Sequence, residues 1–173
     1  MQKQTDTEAA LLNKYPEPVV LVTTRSAAGR PNVMAAGWVM LASDDPVMFA
    51  LGIDDESYTY ALIRETREFV VAFPHEGMAR ETLYAGTHHG HKIEKLTLAG
   101  LTAQDGVKVK APLLADAIAN FECELVEITK PGNCPLIVGK VIAAHENATP
   151  GLRRLFNTAK GYKLGGVSSK SES

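Results

Sequence analysis

Five histidines, two cysteines and a scatter of hydroxyls are the side chains whose chemistry goes beyond packing. Their spacing excludes more than it offers. His88, His89 and His91 sit together in a glycine-bracketed loop. Neighbouring histidines on so short a loop do not converge on one ion without ligands from elsewhere, and the sequence holds no second ligand cluster. A solvated or interface loop is therefore favoured, and no metal is expected. There is no H-E-x-x-H and no C-x-x-C. The glycines form neither G-x-G-x-x-G nor a Walker A loop, so a nicotinamide dinucleotide is not held in the Rossmann manner. No G-x-S-x-G elbow supports a hydrolase. Cys123 stands among apolar neighbours as a small buried hydrophobe. Cys134 lies in a turn between Asn133 and Pro135, and a hairpin between the two cysteines would keep their sulfurs apart.

Two segments put polar or aromatic groups in unusual company. In RPNVMAAGWVMLAS, Asn32 opens an otherwise small and apolar run that contains Trp38, the single tryptophan. Ala35, Ala36 and Gly37 leave room beside the indole. Such a slot can take a planar ligand whose edge the backbone hydrogen-bonds; equally, Trp38 can simply fill the core. In DDESYTYALIRET, Ser57 and Thr59 stand at the start of a helical pattern. Hydroxyls and free N–H groups there bind anions such as phosphate, although N-capping alone is the commoner use. Lys92 and Lys95, in HKIEK, could add positive charge or be ordinary surface lysines.

These segments must be positioned by a mainly β framework. TDTEAALLNKY reads as a short helix capped by Thr5 or Asp6 and ended by Pro16 and Pro18. PVVLVTTR is a strand, a second runs from Asn32 to about Ser43, and VMFALGI is a third. Short connections make these a meander of antiparallel strands. Tyr58, Leu62 and Ile63 share a helical face over Ser57–Thr66. EFVVAF is the next strand, and GMARETLYAG and HKIEKL are short connecting helices. In NFECELVEITK, Phe121, Cys123 and Leu125 take one face and Glu122 and Glu124 the other. PGNCP turns the chain into a return strand, PLIVGKVIAAHE. LRRLFNTA forms a final helical turn, and the tail GGVSSKSES is polar and frayed. Around six strands, mostly adjacent in sequence, point to a closed or nearly closed antiparallel barrel.

Composition sets the class. The 173 residues carry 18 basic and 20 acidic side chains, a formal net charge of −2, with 45% hydrophobic residues. That size suits one domain spanning 1–173, with a core over about 15–165. The absence of basic excess argues against nucleic acid as main partner. No stretch reaches the roughly 18 apolar residues of a membrane helix. The first residues lack the apolar run of a secretory signal, and two cysteines are too few for a disulfide scaffold, so a reducing cytoplasm is expected.

Taken together, the string YPEPVVLVTTRSAAGRPNVMAAGWVMLASDDPVMFALGI resembles the opening of the flavin reductase-like FMN-binding split-barrel family, and most of all its flavoredoxin branch. The run SYTYALIRETREFVV from Ser57 to Val71 and HKIEKLTLAGLT carry the likeness on, and APLLADAIANFECELVEI and PGNCPLIVGKV extend it more loosely to residue 146. The resemblance implies an antiparallel, Greek-key-like split β-barrel with short helices. It also implies a homodimer with FMN at the subunit interface. It places Asn32 and Trp38 against the isoalloxazine, and Ser57, Tyr58 and Thr59 near the phosphate or ribityl chain. Lys95, or else Lys92, falls near the cofactor, and Tyr162 is a late aromatic beside the flavin. Relatives carry G-D-H where this chain has Gly132, Asn133 and Cys134, so a thiol replaces the histidine near the flavin. The implied activity is an FMN-dependent oxidoreductase, drawing on NAD(P)H or a redox protein and serving a small acceptor, free flavin or redox protein. The alternatives are an FMN electron carrier without a substrate of its own and a cofactor-free or haem-binding module on the same barrel.

Overall fold

The structure is a computed structural model and describes residues 1–167; the polar tail expected to fray lies outside them from residue 168 on. Asp6 caps α1 (Thr7–Leu11) by accepting from Ala9 N, and a 3-10 turn over Leu12–Lys14 carries the chain into β1 (Glu17–Pro18). Then follow β2 (Val20–Arg25), β3 (Pro31–Ala36), β4 (Val39–Asp44), β5 (Val47–Gly52), α2 (Tyr58–Thr66) and β6 (Glu68–Phe73). A 3-10 turn precedes α3 (Ala79–Thr87), after which come α4 (Lys95–Ala99), β7 (Ala103–Gln104) and β8 (Leu113–Leu114). The long pair β9 (Ala119–Thr129) and β10 (Leu136–Glu146) and the short pair β11 (Phe156–Asn157) and β12 (Leu164–Gly165) complete the order.

Seven strands form one antiparallel sheet in the order β3-β2-β6-β9-β10-β5-β4. Its two edge strands are consecutive in sequence and separated only by Gly37 and Trp38. The edges must therefore meet, and the sheet rolls up with a bent chain as its seam. This corrects two expectations. The single strand from Asn32 to Ser43 is two strands, and they do not pair with each other: β3 pairs with β2, and β4 with β5. Nor is there a three-strand meander, because β5 goes on to pair with β10. An uninterrupted apolar run hides the break, since Gly37 changes the chain's direction without changing its hydropathy.

Inside the barrel pack Val20, Val22, Leu51, Phe69, Val71 and Cys123, all fully buried. The outer face of β2, β3 and β6 packs Leu21, Val33 and Ala72 against Met78, Ala85 and Leu96 from the helical side. Strand β2 is thus buried on both faces, which is why VLVTT reads as a continuous run and not an alternation. The expected helical turn in LRRLFNTA is absent. Phe156 and Asn157 pair with Pro18 and Glu17, and then with Gly165 and Leu164, in a separate three-stranded sheet.

Glu122 is the sharpest departure from the sequence pattern. It does lie opposite Cys123, but that face is covered and Glu122 is fully buried. Its carboxylate accepts from Val107, Lys108 and Val109 N, at 2.9, 2.6 and 2.7 Å. His145 Nε2 lies 2.6 Å from Oε1, and since a carboxylate only accepts, that ring nitrogen carries the proton. Burial pushes the carboxyl upward, but the bonds from Val107, His145, Lys108 and Val109 outweigh it and hold the pKa below its ordinary 4.5. A group whose folded pKa is depressed stabilises the fold above its unfolded pKa and loses that contribution as pH falls through the folded value. Glu122→Ala leaves three backbone donors unpaired, and should cost about 3–5 kcal/mol in urea unfolding at pH 7. The difference from the parent should shrink as the pH is lowered below the ordinary carboxyl value of 4.5; an unchanged midpoint at pH 7 would contradict the anchoring role.

Candidate functional site

The bent seam leaves Trp38 in an unusual position. Its carbonyl is fixed by Gly52 N at 2.9 Å, yet its side chain is 59% exposed. The core-filling role is excluded. Gly52 is what lets the ring lie flat against the barrel, because a Cβ there would stand 2.9 Å from Trp38 Cε3. The indole borders a cavity of about 640 Å³. One wall is the seam, from Met34 to Trp38, with the end of β5 beside it; a second is α3, through Thr82, Gly86 and Thr87. The third comes from the chain ends, where Lys14, Tyr15 and Glu17 face Asn157, Lys160 and Tyr162. Tyr162 is held with φ of 58° at the tip of the β11–β12 hairpin, directly after Gly161.

The other expected residues group elsewhere. Asn32 is buried at the start of β3 and donates to Thr24 Oγ1 and Thr59 Oγ1, at 3.2 and 2.9 Å. Its Oδ1 has no partner among the described residues. Gly90 lies directly over it, where a Cβ would be 1.9 Å from that oxygen. Ser57 caps α2, accepting from Tyr60 N at 3.1 Å. Tyr58 is half-buried and its ring stands 6.2 Å from that of His91. These residues form a polar patch around the N-terminus of α2. Ser57 N bonds to the carbonyl of Asp54, a cavity residue, so patch and cavity adjoin. Asn32 is not among the residues lining the cavity that Trp38 borders.

Lys95 is no surface lysine. It is 3% exposed, and its Nζ donates to the carbonyls of Ala85 and His88, both at 2.7 Å. It therefore serves the C-terminal end of α3, where carbonyls lack helical partners. Burial pushes its pKa from 10.5 down to about 8. Arg30 works on the same loop, donating to the carbonyls of Gly90, His91 and Ile93. Lys92 is exposed beyond it. His88, His89 and His91 are exposed, with His88 stacked on Tyr84 at 3.8 Å; among the described residues no three His, Cys, Asp or Glu side chains converge as metal ligands. Cys134 is half-buried in the β9–β10 turn. Burial, followed by Asp54 and Asp55, pushes its thiol upward, so the reactive thiolate is disfavoured. Both cysteines are free.

Sequence reasoning passed over Lys14, Glu17, Thr82 and Asn157, all of which line the cavity. The signal for Glu17 was its place between Pro16 and Pro18, which fix the backbone on either side. Thr82 and Asn157 had none, because one sits in a helix taken as a connector and the other in a strand taken as a helical turn.

A rolled antiparallel barrel with a ring-sized cavity at its seam defines a small ligand-binding barrel protein. Residues 12–164 match the Flavin reductase like domain family, and the chain belongs to it. It is 30% identical to the NADH:riboflavin 5'-phosphate oxidoreductase of Streptomyces pristinaespiralis over 146 residues, 82% of this chain and 80% of that one. Its fold is similar to the flavoredoxin from Methanosarcina acetivorans, with a TM-score of 0.85, 27% identity, and 100% and 95% of the two chains covered. It is equally similar to an FMN-binding protein from Thermus thermophilus with bound p-hydroxybenzaldehyde, with a TM-score of 0.85, 26% identity, and 100% and 99% covered. No helix among the described residues is long and apolar enough to cross a membrane.

The buried Lys95 makes a pH-dependent prediction. Its folded pKa lies below the unfolded one, so between pH 8 and 10.5 the unfolded chain binds more protons, and stability rises with pH in that window. Urea unfolding of the parent should show a gain of about 1–2 kcal/mol from this lysine between pH 7.5 and 9.5. Lys95→Met should lack that increment. Parallel curves for the two proteins would show that Lys95 is not desolvated.

Proposed function

We propose that this chain is an FMN-binding flavoprotein oxidoreductase that takes electrons from NAD(P)H or a reduced redox protein and delivers them to a small acceptor, free flavin or another redox protein. The observation that carries this reading is the exposed indole of Trp38 on the wall of a 640 Å³ cavity. That volume falls within the roughly 300–1,000 Å³ of small-molecule and cofactor sites. The residues present fit a flavin. Trp38 offers a ring to stack on, while Ala35, Ala36 and Gly37 let a flat molecule approach the backbone. Two buried polar atoms on lining residues, Thr82 Oγ1 and Asn157 Oδ1, lack partners among the described residues. The polar patch of Asn32, Ser57, Tyr58 and Thr59 adjoins the cavity at Asp54 and suits a phosphate-bearing chain at a helix N-terminus. The likeness to an NADH:riboflavin 5'-phosphate oxidoreductase supports nicotinamide as donor. The likeness to a flavoredoxin supports a protein partner in its place.

Bound FMN supplies the hydride and electron transfer, and the protein supplies position and surroundings. Trp38 orients the ring plane. The α3 wall and the 157–165 hairpin shield it from water. Cys134 lies in the β9–β10 turn and is not among the residues lining the cavity. The same seam explains the proposed homodimer. Trp38, Met40, Leu41 and Val47 are all exposed along an edge strand and its turn. A symmetric pair would cover that apolar surface.

Purified protein should show oxidised-flavin absorbance, or acquire it with added FMN, and lose it anaerobically on adding NADH or NADPH. Bleaching only by a reduced redox protein would identify a carrier without a nucleotide substrate, and failure to take up FMN would sink the flavin reading. Trp38→Ala should raise the Kd for FMN about tenfold or more, by the measure of ring stacking on aromatic side chains. Its far-UV circular dichroism should match the parent's, because the indole is not part of the barrel core.

A further inference from the structure

Polar side chains from three segments line the cavity: Lys14 and Glu17, Asn157, and Thr82 on α3. Asn157 on β11 is 6% exposed. Its Nδ2 donates to Glu17 Oε1 at 2.9 Å, while Glu17 Oε2 takes Lys14 Nζ at 2.6 Å. A carboxylate has only acceptors, so turning the Asn157 amide over would set two oxygens face to face. Glu17 thereby fixes which way the amide points, and Lys14 fixes Glu17. Oδ1 is left with no partner among the described residues. On α3, Thr82 is fully buried and its Oγ1 is also without a partner among the described residues. Unpaired buried polar atoms are few in folded proteins, because each forfeits its hydration. Here two occur on residues lining one cavity. One is an acceptor that cannot turn, and the other is a hydroxyl that can donate.

We infer that Asn157 and Thr82 together grip the amide or imide edge of a planar ligand, Asn157 Oδ1 accepting its N–H and the Thr82 hydroxyl donating to the adjoining carbonyl. This rests on the flavin reading above. Two ring systems relevant to it carry such an edge: the pyrimidine end of the isoalloxazine and the carboxamide of a nicotinamide. Neither protein atom faces solvent, so each must come forward slightly as the ligand enters. Thr82 can do so by changing rotamer, since threonine in a helix has two open wells. Asn157 sits on a hairpin held by two-residue ladders on either side, and it can shift together with Glu17 without losing their bond. Glu17 and Lys14 are positioning residues. They act only through the orientation of Asn157.

The test titrates apoprotein with FMN and with 3-methyl-FMN, which lacks the imide N–H, following the emission of the single Trp38. If the flavin edge is gripped, the parent should prefer FMN over the methylated form about tenfold. Asn157→Leu should abolish that preference, and Glu17→Gln should shrink it, because a Gln amide permits either orientation of Asn157 while FMN still binds. The nearly isosteric Thr82→Val should weaken both flavins by about fivefold and keeps the test alive if Asn157→Leu does not fold. If the edge belongs to nicotinamide, the parent binds the two flavins alike. Asn157→Leu and Thr82→Val then weaken oxidised NAD on the FMN-loaded protein instead. FMN binding with neither flavin preference nor NAD affinity altered by more than about twofold in folded variants overturns the inference. A folded parent that takes up no FMN overturns the flavin reading, and this inference with it.

Discussion

Everything at the site depends on one bend. Residues 31–44 serve as both edges of the seven-stranded sheet, and the turn at Gly37–Trp38 is where those edges meet. The bond from Gly52 N to the Trp38 carbonyl fixes the bend. The backbone of Trp38 is therefore committed to the barrel while its side chain is turned outward. Had the segment run straight as one strand, the indole would lie on a sheet face among other side chains. Glycine at position 52 is part of the same constraint, since a Cβ there would collide with the ring that the bend presents.

The outer layer is held by charge brought to backbone groups, with few ion pairs of its own. Glu122 gathers three N–H groups of the 107–109 segment, Lys95 gathers two carbonyls at the end of α3, and Arg30 gathers three from the loop beyond. Loops that lack a ladder of their own must find partners for their polar groups, and a single charged side chain can serve several at once. The near-neutral composition conceals this arrangement, because Glu122 and Lys95 are buried and Arg30 is half-buried.

Much of the framework was legible. The helix with Ser57 at its cap, the strand EFVVAF and the long hairpin of β9 and β10 follow from periodicity and turn residues, and the structure has them. The strand pairing was not legible, because hydropathy cannot distinguish a straight apolar strand from a bent one whose halves belong to opposite sheet edges. Trp38 could be singled out by its small neighbours, but its exposure depends on the bend. Lys95 looked like a helix-surface lysine because its partners are carbonyls, which leave no mark in a sequence. Asn157 and Thr82 stayed hidden because the elements that carry them come together only through the small terminal sheet, whose two-residue strands have no periodicity to read.

Lys95 also changes how charge can act at the site. With two carbonyls already on its amine, it is not a free cation directed at a bound anion. Its N–H groups instead satisfy carbonyls at the end of α3, the helix that forms one wall of the cavity, and a neutral amine still has two N–H groups for the same two carbonyls. Were an anionic group to sit at the α2 end, the Ser57 and Thr59 hydroxyls and the N–H groups of the first turn of α2 would meet it, since Ser57 N already bonds the Asp54 carbonyl. Such a site recognises shape and hydrogen bonding more than net charge, in keeping with a chain whose acidic and basic residues nearly balance.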